Sequence, residues 1–173
     1  MILQMKKTNS MRPQDIVILL KIASKGNNAW LMKDLANELF ISASEVTESL
    51  NRNVYAGLLG ADKRQIMKSA LLDFLKYGLK YVYPQKVGTL VRGIPTAHSA
   101  LPLSKLIESE VIYVWPDAKG EVRGMAIEPL IPSLPEACKQ DTVLYELVAL
   151  AEALRIGKVR EQEIAYNELK KRL

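Results

Sequence analysis

The clearest pattern of apolar and polar positions lies between residues 35 and 59. Leu35, Ala36 and Leu39 recur at helical spacing, so they predict one face of a helix. Phe40 interrupts this rhythm and indicates a turn. Two short helices joined by such a turn, with a small residue such as Ala36 where they cross, form the helix-turn-helix pattern.

A second helix is predicted to begin directly after the turn. Ser42 and Glu45 have the spacing of a capping box, in which each side chain satisfies a backbone amide of the other residue. Val46, Leu50 and Val54 follow at intervals of four residues and predict the buried stripe of this helix. The opposite face is then predicted to present Ser44, Glu45, Thr47, Glu48, Asn51, Arg52 and Tyr55.

This predicted face allows two interpretations. Asn51 can bind adenine through two hydrogen bonds, Arg52 can bind guanine in the same way, and hydroxyls such as that of Ser42 can reach phosphates. Glu45 is accounted for as a capping partner, and Glu48 can pair with Arg52 four residues later. Because two carboxylates weaken binding to phosphates, a helix-turn-helix that serves as a scaffold or docks a protein remains an alternative.

The order Leu-Ala-x-x-Leu, turn, Ser-x-Ser-x-Val, polar run and Gly-Leu-Leu resembles MarR-type winged helix-turn-helix regulators of bacteria. The resemblance covers about residues 13 to 59. It implies a winged helix-turn-helix fold and a regulator of transcription that binds double-stranded DNA. The chain departs from the family at Phe40, where those regulators usually have glycine, and in the two glutamates of the recognition helix.

The segment after this motif differs from a standard β-hairpin wing. Asp62 and Gln65 repeat the capping-box spacing, and an apolar stripe that includes Leu71 predicts a helix ending at Gly78. We therefore expect a modified wing. The first predicted domain, residues 1–79, is a helix-turn-helix DNA-binding domain with an added helix.

An internal repeat begins the second predicted domain, residues 80–173. Tyr81-Val-Tyr-Pro and Tyr113-Val-Trp-Pro each precede a turn that ends in glycine, and both copies finish in Val-Arg-Gly. This order predicts two repeated β-hairpins with Arg92 and Arg123 at equivalent points. The two arginines can contact a ligand or a partner chain, or can pin strand ends in a pseudo-symmetric scaffold; both interpretations stay open.

Two helices are predicted to close the chain. The first begins at Asp141 and carries an apolar stripe from Leu144 to Leu154, whereas the second, about residues 159–171, has few apolar positions. We expect both to pack on the same helices of a second copy, which gives a homodimer. The predicted fold class is α+β: a winged helix-turn-helix with a modified wing, repeated hairpins and a C-terminal helical pair.

The composition is that of a globular protein, with 49% apolar and 25% charged residues. No apolar run approaches the ~20 residues of a membrane span, so no membrane partner is expected. A single cysteine, Cys138, and the lack of an export signal predict a cytoplasmic location.

Positive charge is concentrated directly after the helix-turn-helix. Residues 63–92 carry seven Lys and Arg against Asp73 alone, which is a net +6 within a chain whose total is +5. These residues are expected to contact the backbone of a polyanion; the alternative is that they are ordinary solvated surface charges. The predicted phosphate contacts are Lys63, Arg64, Lys68, Lys86 and Arg92.

No sequence pattern predicts an enzyme, a cofactor or a metal site. Glycine-rich phosphate-binding loops are absent, and one histidine with one cysteine cannot form a Cys/His zinc site. His98 is expected to bond to backbone rather than to act as a base. The leading hypothesis is a homodimeric regulator that binds duplex DNA; the alternative is a protein-binding module such as the antitoxin of a toxin–antitoxin pair.

Overall fold

Three helices form the N-terminal part of the computed structural model, which describes residues 9–173. They are α1 (Pro13–Ser24), α2 (Met32–Leu39) and α3 (Ala43–Tyr55). The first eight residues of the first predicted domain lie outside the described residues. α2 and α3 are joined by a three-residue turn, which confirms the predicted helix pair.

Both ends of this turn have defined backbone geometry. Phe40 adopts the left-handed conformation with φ 56°, and its amide donates to carbonyls in the last turn of α2. Ser42 Oγ accepts from Glu45 N at 3.2 Å, and Glu45 Oε2 accepts from Ser42 N at 3.1 Å. The predicted capping box is therefore confirmed as the start of α3.

A tight turn takes the place of a wing after α3. Leu59 and Ile66 form a single antiparallel bridge, and Gly60 N donates to Gln65 O at 2.7 Å. Asp62 Oδ1 accepts from Arg64 N at 2.9 Å and from Gln65 N at 3.1 Å, so it stabilises the turn. The prediction that Asp62 and Gln65 cap a helix is wrong, because the backbone amides of this turn use the carboxylate before a helix begins.

The next helical segment is continuous but changes type along its length. α4 (Lys68–Asp73) leads through a π-helical turn (Phe74–Gly78) into α5 (Leu79–Val82). The predicted end at Gly78 is therefore wrong. Absence of a side chain at Gly78 makes room for the ring of Phe74, which lies 2.9 Å from the position of a glycine Cβ. Tyr81 is consequently helical and begins no hairpin.

A small sheet follows, with β1 (Leu90–Pro95), β2 (Tyr113–Pro116) and β3 (Val122–Ala126). β1 is antiparallel to both other strands, β2 and β3 pair in parallel, and the three close on themselves. The prediction of two hairpins is wrong for both copies. The two Val-Arg-Gly segments instead pair with each other, and Arg92 lies opposite Arg123.

Three helices complete the described chain: α6 (Leu134–Gln140), α7 (Thr142–Ile156) and α8 (Val159–Arg172). α7 packs against α1, α8 and the short 3-10 turn Ala97–Ser99 before β2. It thereby joins one continuous apolar core that includes residues of both predicted domains. The fold is α+β, and none of the described helices is long and apolar enough to span a membrane.

The apolar stripes of the two last helices are covered within a single chain. Leu144, Leu147 and Leu154 of α7 are buried within one chain, as are Ala165 and Leu169 of α8. The expectation that these helices need a second copy to cover them is wrong, because α1 and the 3-10 turn pack on α7, whereas α7 and α4 pack on α8.

Candidate nucleic-acid interface

The exposed side of α3 carries a stripe of polar side chains. Ser44, Thr47, Asn51 and Tyr55 are all exposed and recur at intervals of three or four residues. Tyr55 has 73% of its surface exposed at the end of the helix. The structure therefore brings these four predicted contacts onto one face.

The hydroxyls at the start of α3 have partners within the helix. Ser42 Oγ lies 3.1 Å from Ser44 Oγ, in addition to its capping bond. Thr47 Oγ1 donates to Ala43 O at 3.0 Å and lies 3.6 Å from Met32 Sδ of α2. Each hydroxyl oxygen can still accept a hydrogen bond from outside, whereas Asn51 offers both a donor and an acceptor.

Arg52 does not belong to this face. Its side chain is 5% exposed and forms a two-bond ion pair with Asp15 of α1, which is fully buried. Arg52 Nε donates to Asp15 Oδ2 at 2.8 Å, and Arg52 Nη2 donates to Oδ1 at 2.7 Å. The prediction that Arg52 reads a base edge is wrong, because the guanidinium neutralises a buried carboxylate.

The neighbours of this ion pair complete a clamp between α1 and α3. Asp15 Oδ2 also accepts from Arg12 N at 2.8 Å, and Asn53 Nδ2 donates to Asp15 O at 3.1 Å. Glu48 Oε2 lies 3.9 Å from Arg52 Nη1, which confirms the predicted i,i+4 pair. Hydrogen bonding by Asp15 raises the pKa of Arg52 above its ordinary value. The clamp fixes which side of α3 faces outward.

Two of the predicted phosphate contacts lie together at the tight turn that follows α3. Arg64 and Lys68 line one cleft of about 690 Å³, which Arg172 of α8 also borders. The Arg64 guanidinium stacks 4.1 Å from the ring centroid of Trp30 and donates to Trp30 O. Lys63 is half-buried in the turn at φ 57°. Arg64 therefore holds the turn in place as well as presenting charge.

The remaining predicted contacts lie in the sheet and the loop before it. Lys86 is exposed in the loop that precedes β1, and Arg92 and Arg123 are exposed and directly opposite each other on β1 and β3. The equivalent positions predicted for these two arginines are thus brought together.

Sequence reasoning did not predict three exposed hydrophobic side chains at the two ends of α2. Leu31, Met32 and Phe40 are 53%, 44% and 50% exposed, although each is a large hydrophobic residue. Met32 adjoins the polar stripe of α3, because its sulfur lies 3.6 Å from Thr47 Oγ1. Phe40 adopts a left-handed backbone conformation that non-glycine residues rarely adopt. The presence of phenylalanine where glycine is expected is the sequence feature that marks this position.

The single histidine and the cysteine have structural surroundings. His98 is buried and its Nε2 donates to Val111 O at 2.7 Å, which confirms a backbone partner. Burial raises the pKa of the Cys138 thiol well above its ordinary value. Over residues 9–173, no group of three or more His, Cys, Asp or Glu side chains is placed to hold a metal ion.

Comparison with models of protein families, with curated proteins and with solved structures finds no significant match to this chain.

Proposed function

We propose that this chain is a regulator of transcription that binds double-stranded DNA through α3, in the manner of MarR-type proteins. The observation that carries the proposal is the exposed polar stripe Ser44, Thr47, Asn51 and Tyr55 on a helix whose opposite side is buried. An exposed asparagine on such a helix can form two hydrogen bonds to adenine in the major groove. We propose that the chain binds DNA rather than catalyses a reaction, and that it does so in the cytoplasm.

Backbone contacts are proposed for the basic residues after α3. Lys68 at the start of α4 shares a cleft with Arg64, and Lys63 and Lys86 add charge within the segment of net +6. Such charges contribute affinity that does not depend on base sequence and that falls as salt rises. They would position α3 on the duplex without specifying the bases.

A homodimer is proposed because one recognition helix covers too few base pairs for specific binding. Dimers of this class bind two half-sites one DNA turn apart, ~34 Å. This part of the proposal depends on the requirement for specificity and not on uncovered surface of α7 or α8. Light scattering of the full chain with and without its selected duplex tests it, and one chain per duplex would contradict it.

The experiment that tests the proposal is selection of bound fragments from random duplex DNA, followed by fluorescence anisotropy on the selected site. Asn51→Ala should weaken binding to the selected site by about 1–3 kcal/mol and relax base preference at one position. Asn167→Ala on the exposed side of α8 is the matched control and should bind like the unmodified chain. Selection that enriches no sequence would refute specific DNA binding.

The exposed hydrophobic side chains at the two ends of α2 favour a second candidate function. Exposed hydrophobic side chains such as Leu31, Met32 and Phe40 are more typical of a protein contact than of a contact with DNA phosphates. A protein-binding module, such as the antitoxin of a toxin–antitoxin pair, would use them on its partner. A toxin-like gene next to this one would identify that partner, and Phe40→Ser should then weaken the complex while Asn51→Ala leaves it unchanged.

A further inference from the structure

The two copies of Val-Arg-Gly meet around a local two-fold axis in the sheet. In the antiparallel pair of β1 and β3, Val91 lies opposite Gly124, Arg92 opposite Arg123, and Gly93 opposite Val122. The axis therefore passes between the two arginines. The two copies therefore form one strand pair instead of two separate hairpins.

The fold explains the glycines and the valines of the repeat. A Cβ at Gly93 would lie 2.0 Å from Trp115 O of β2, and one at Gly124 would lie 2.6 Å from Ile112 O. Both glycines thus allow the backbone of the next strand to approach closely enough for the sheet to close. Val91 and Val122 are each partly buried.

The arginines have no comparable structural explanation. Residues directly opposite in an antiparallel pair share one face, with Cβ atoms about 4.5–5.5 Å apart, and like charges at such positions are destabilising. Both side chains are exposed, and in the part of the chain that the structure describes neither guanidinium forms an ion pair or a hydrogen bond. Two uncompensated positive charges are therefore held at equivalent points where folding does not require them.

We propose that Arg92 and Arg123 together bind one phosphoryl group. A guanidinium presents two N–H donors in a planar fork that matches the oxygens of phosphate, and two forks on one face can engage a single phosphoryl group from both sides. The bound anion would also remove the repulsion between the two arginines. Lysine would be a poorer substitute at either position, because it lacks the fork.

Two sources can supply this group: the backbone of the proposed DNA duplex, or a free phosphate ester that acts as an effector. The first source rests on the proposed function, and the second does not. The test separates them with two measurements on the full chain. Arg92→Gln, Arg123→Gln and the double variant are compared with Arg160→Gln, the control, which removes an exposed arginine of α8 that has no ion-pair partner among the described residues.

The first measurement is the salt dependence of binding to a random duplex. If the backbone is the source, the double variant should lower the slope of log K against log salt by about one, as expected for one lost phosphate contact. The single variants should each give most of this loss, because both arginines engage the same group. Arg160→Gln should leave the slope unchanged.

The second measurement is calorimetric titration of the DNA-free chain with inorganic phosphate and with pyrophosphate. If a free ester is the source, pyrophosphate should bind the unmodified chain and Arg160→Gln, and binding should be lost in the double variant. Arg92→Lys, which keeps the charge, should bind at least several-fold more weakly than the unmodified chain, and it replaces Arg92→Gln if that variant does not fold.

Arginine variants that match Arg160→Gln in both measurements would overturn the proposal. The proposed function would then stand or fall separately, on the response of the selected duplex to Asn51→Ala. Binding of pyrophosphate that depends on the arginines would support this site even if no duplex were selected.

Discussion

Arg52→Met is the substitution that most clearly separates the structural role of α3 from its proposed recognition role. The change replaces the guanidinium with an apolar side chain of similar length. Asp15 would then stay fully buried without the two charged hydrogen bonds of 2.7 and 2.8 Å that it now accepts. Among residues 9–173, the Arg12 amide alone would still donate to this carboxylate.

Removal of one partner from a buried ion pair costs about 3–5 kcal/mol, because an uncompensated charge is left behind. The upper half of this range is expected here, since Asp15 has no exposed surface through which water could replace the guanidinium. For a chain of this length each kcal/mol shifts the melting temperature by about 2–4 °C. The expected fall in melting temperature is therefore roughly 8–20 °C.

Urea unfolding followed by circular dichroism measures the loss of stability. Asn51→Ala, at the adjacent but exposed position, is the control and should change stability by no more than about 0.5 kcal/mol. Adding Asp15→Asn to Arg52→Met should recover part of the loss, because the amide removes the buried charge and can still accept from the Arg12 amide.

A loss below about 1 kcal/mol for Arg52→Met would refute this reasoning. So would a change in the ratio of binding to selected and random duplexes, measured where both proteins are fully folded. A changed ratio would mean that Arg52 contacts bases and that it is not buried against Asp15 in the DNA-bound protein.

Three further predictions concern the turn, the sheet and the core. Phe40→Gly should be more stable than Phe40→Ala by about 1 kcal/mol in urea unfolding, because both lose the ring but only glycine accepts φ 56° without strain; equal stability would contradict this. Gly93→Ala should cost about 1–3 kcal/mol in the same assay, since its Cβ would overlap Trp115 O, and unchanged stability would mean that the sheet does not close as described. Burial raises the pKa of Glu152 from 4.5 to about 7 although Arg155 opposes this shift, so the folded chain keeps this proton to higher pH than the unfolded chain, and the stability from this group is lost as pH rises through that window. Glu152→Gln should abolish that part of the pH dependence between about pH 5 and 7, and an unchanged slope would contradict the assignment.

The N-terminal helices were predictable because their signals are local. A capping box and an apolar stripe predict the start of α3 and its helical character from a few neighbouring residues. The error at Arg52 came from the phase of that stripe: buried Ser49 and Asn53 rotate the inner face toward Arg52. Its partner Asp15 is 37 residues away along the chain, and such a long-range ion pair leaves no local pattern.

The repeat shows where local reasoning ends. The Tyr-Val-x-Pro segments and the turns that end in glycine predict hairpins, but Leu75 and Leu79 continue the helical period of Leu71 and carry the chain past Gly78 as a helix. The pairing that does form joins Arg92 to Arg123 across the two copies. This pairing depends on Gly93, where the backbone of β2 approaches too closely for a side chain. The sequence shows the glycine but does not show which strand packs against it.

The proposed contact between Asn51 and a base is tested most directly by a measurement that changes both partners of this contact. Each adenine of the selected duplex is replaced in turn by 7-deazaadenine, which lacks the N7 acceptor, and anisotropy gives the affinity of the unmodified chain and of Asn51→Ala. At one adenine in each half-site, the analogue should weaken binding of the unmodified chain by about 1–3 kcal/mol and have little effect on Asn51→Ala. Equal losses for both proteins at every adenine would contradict the account.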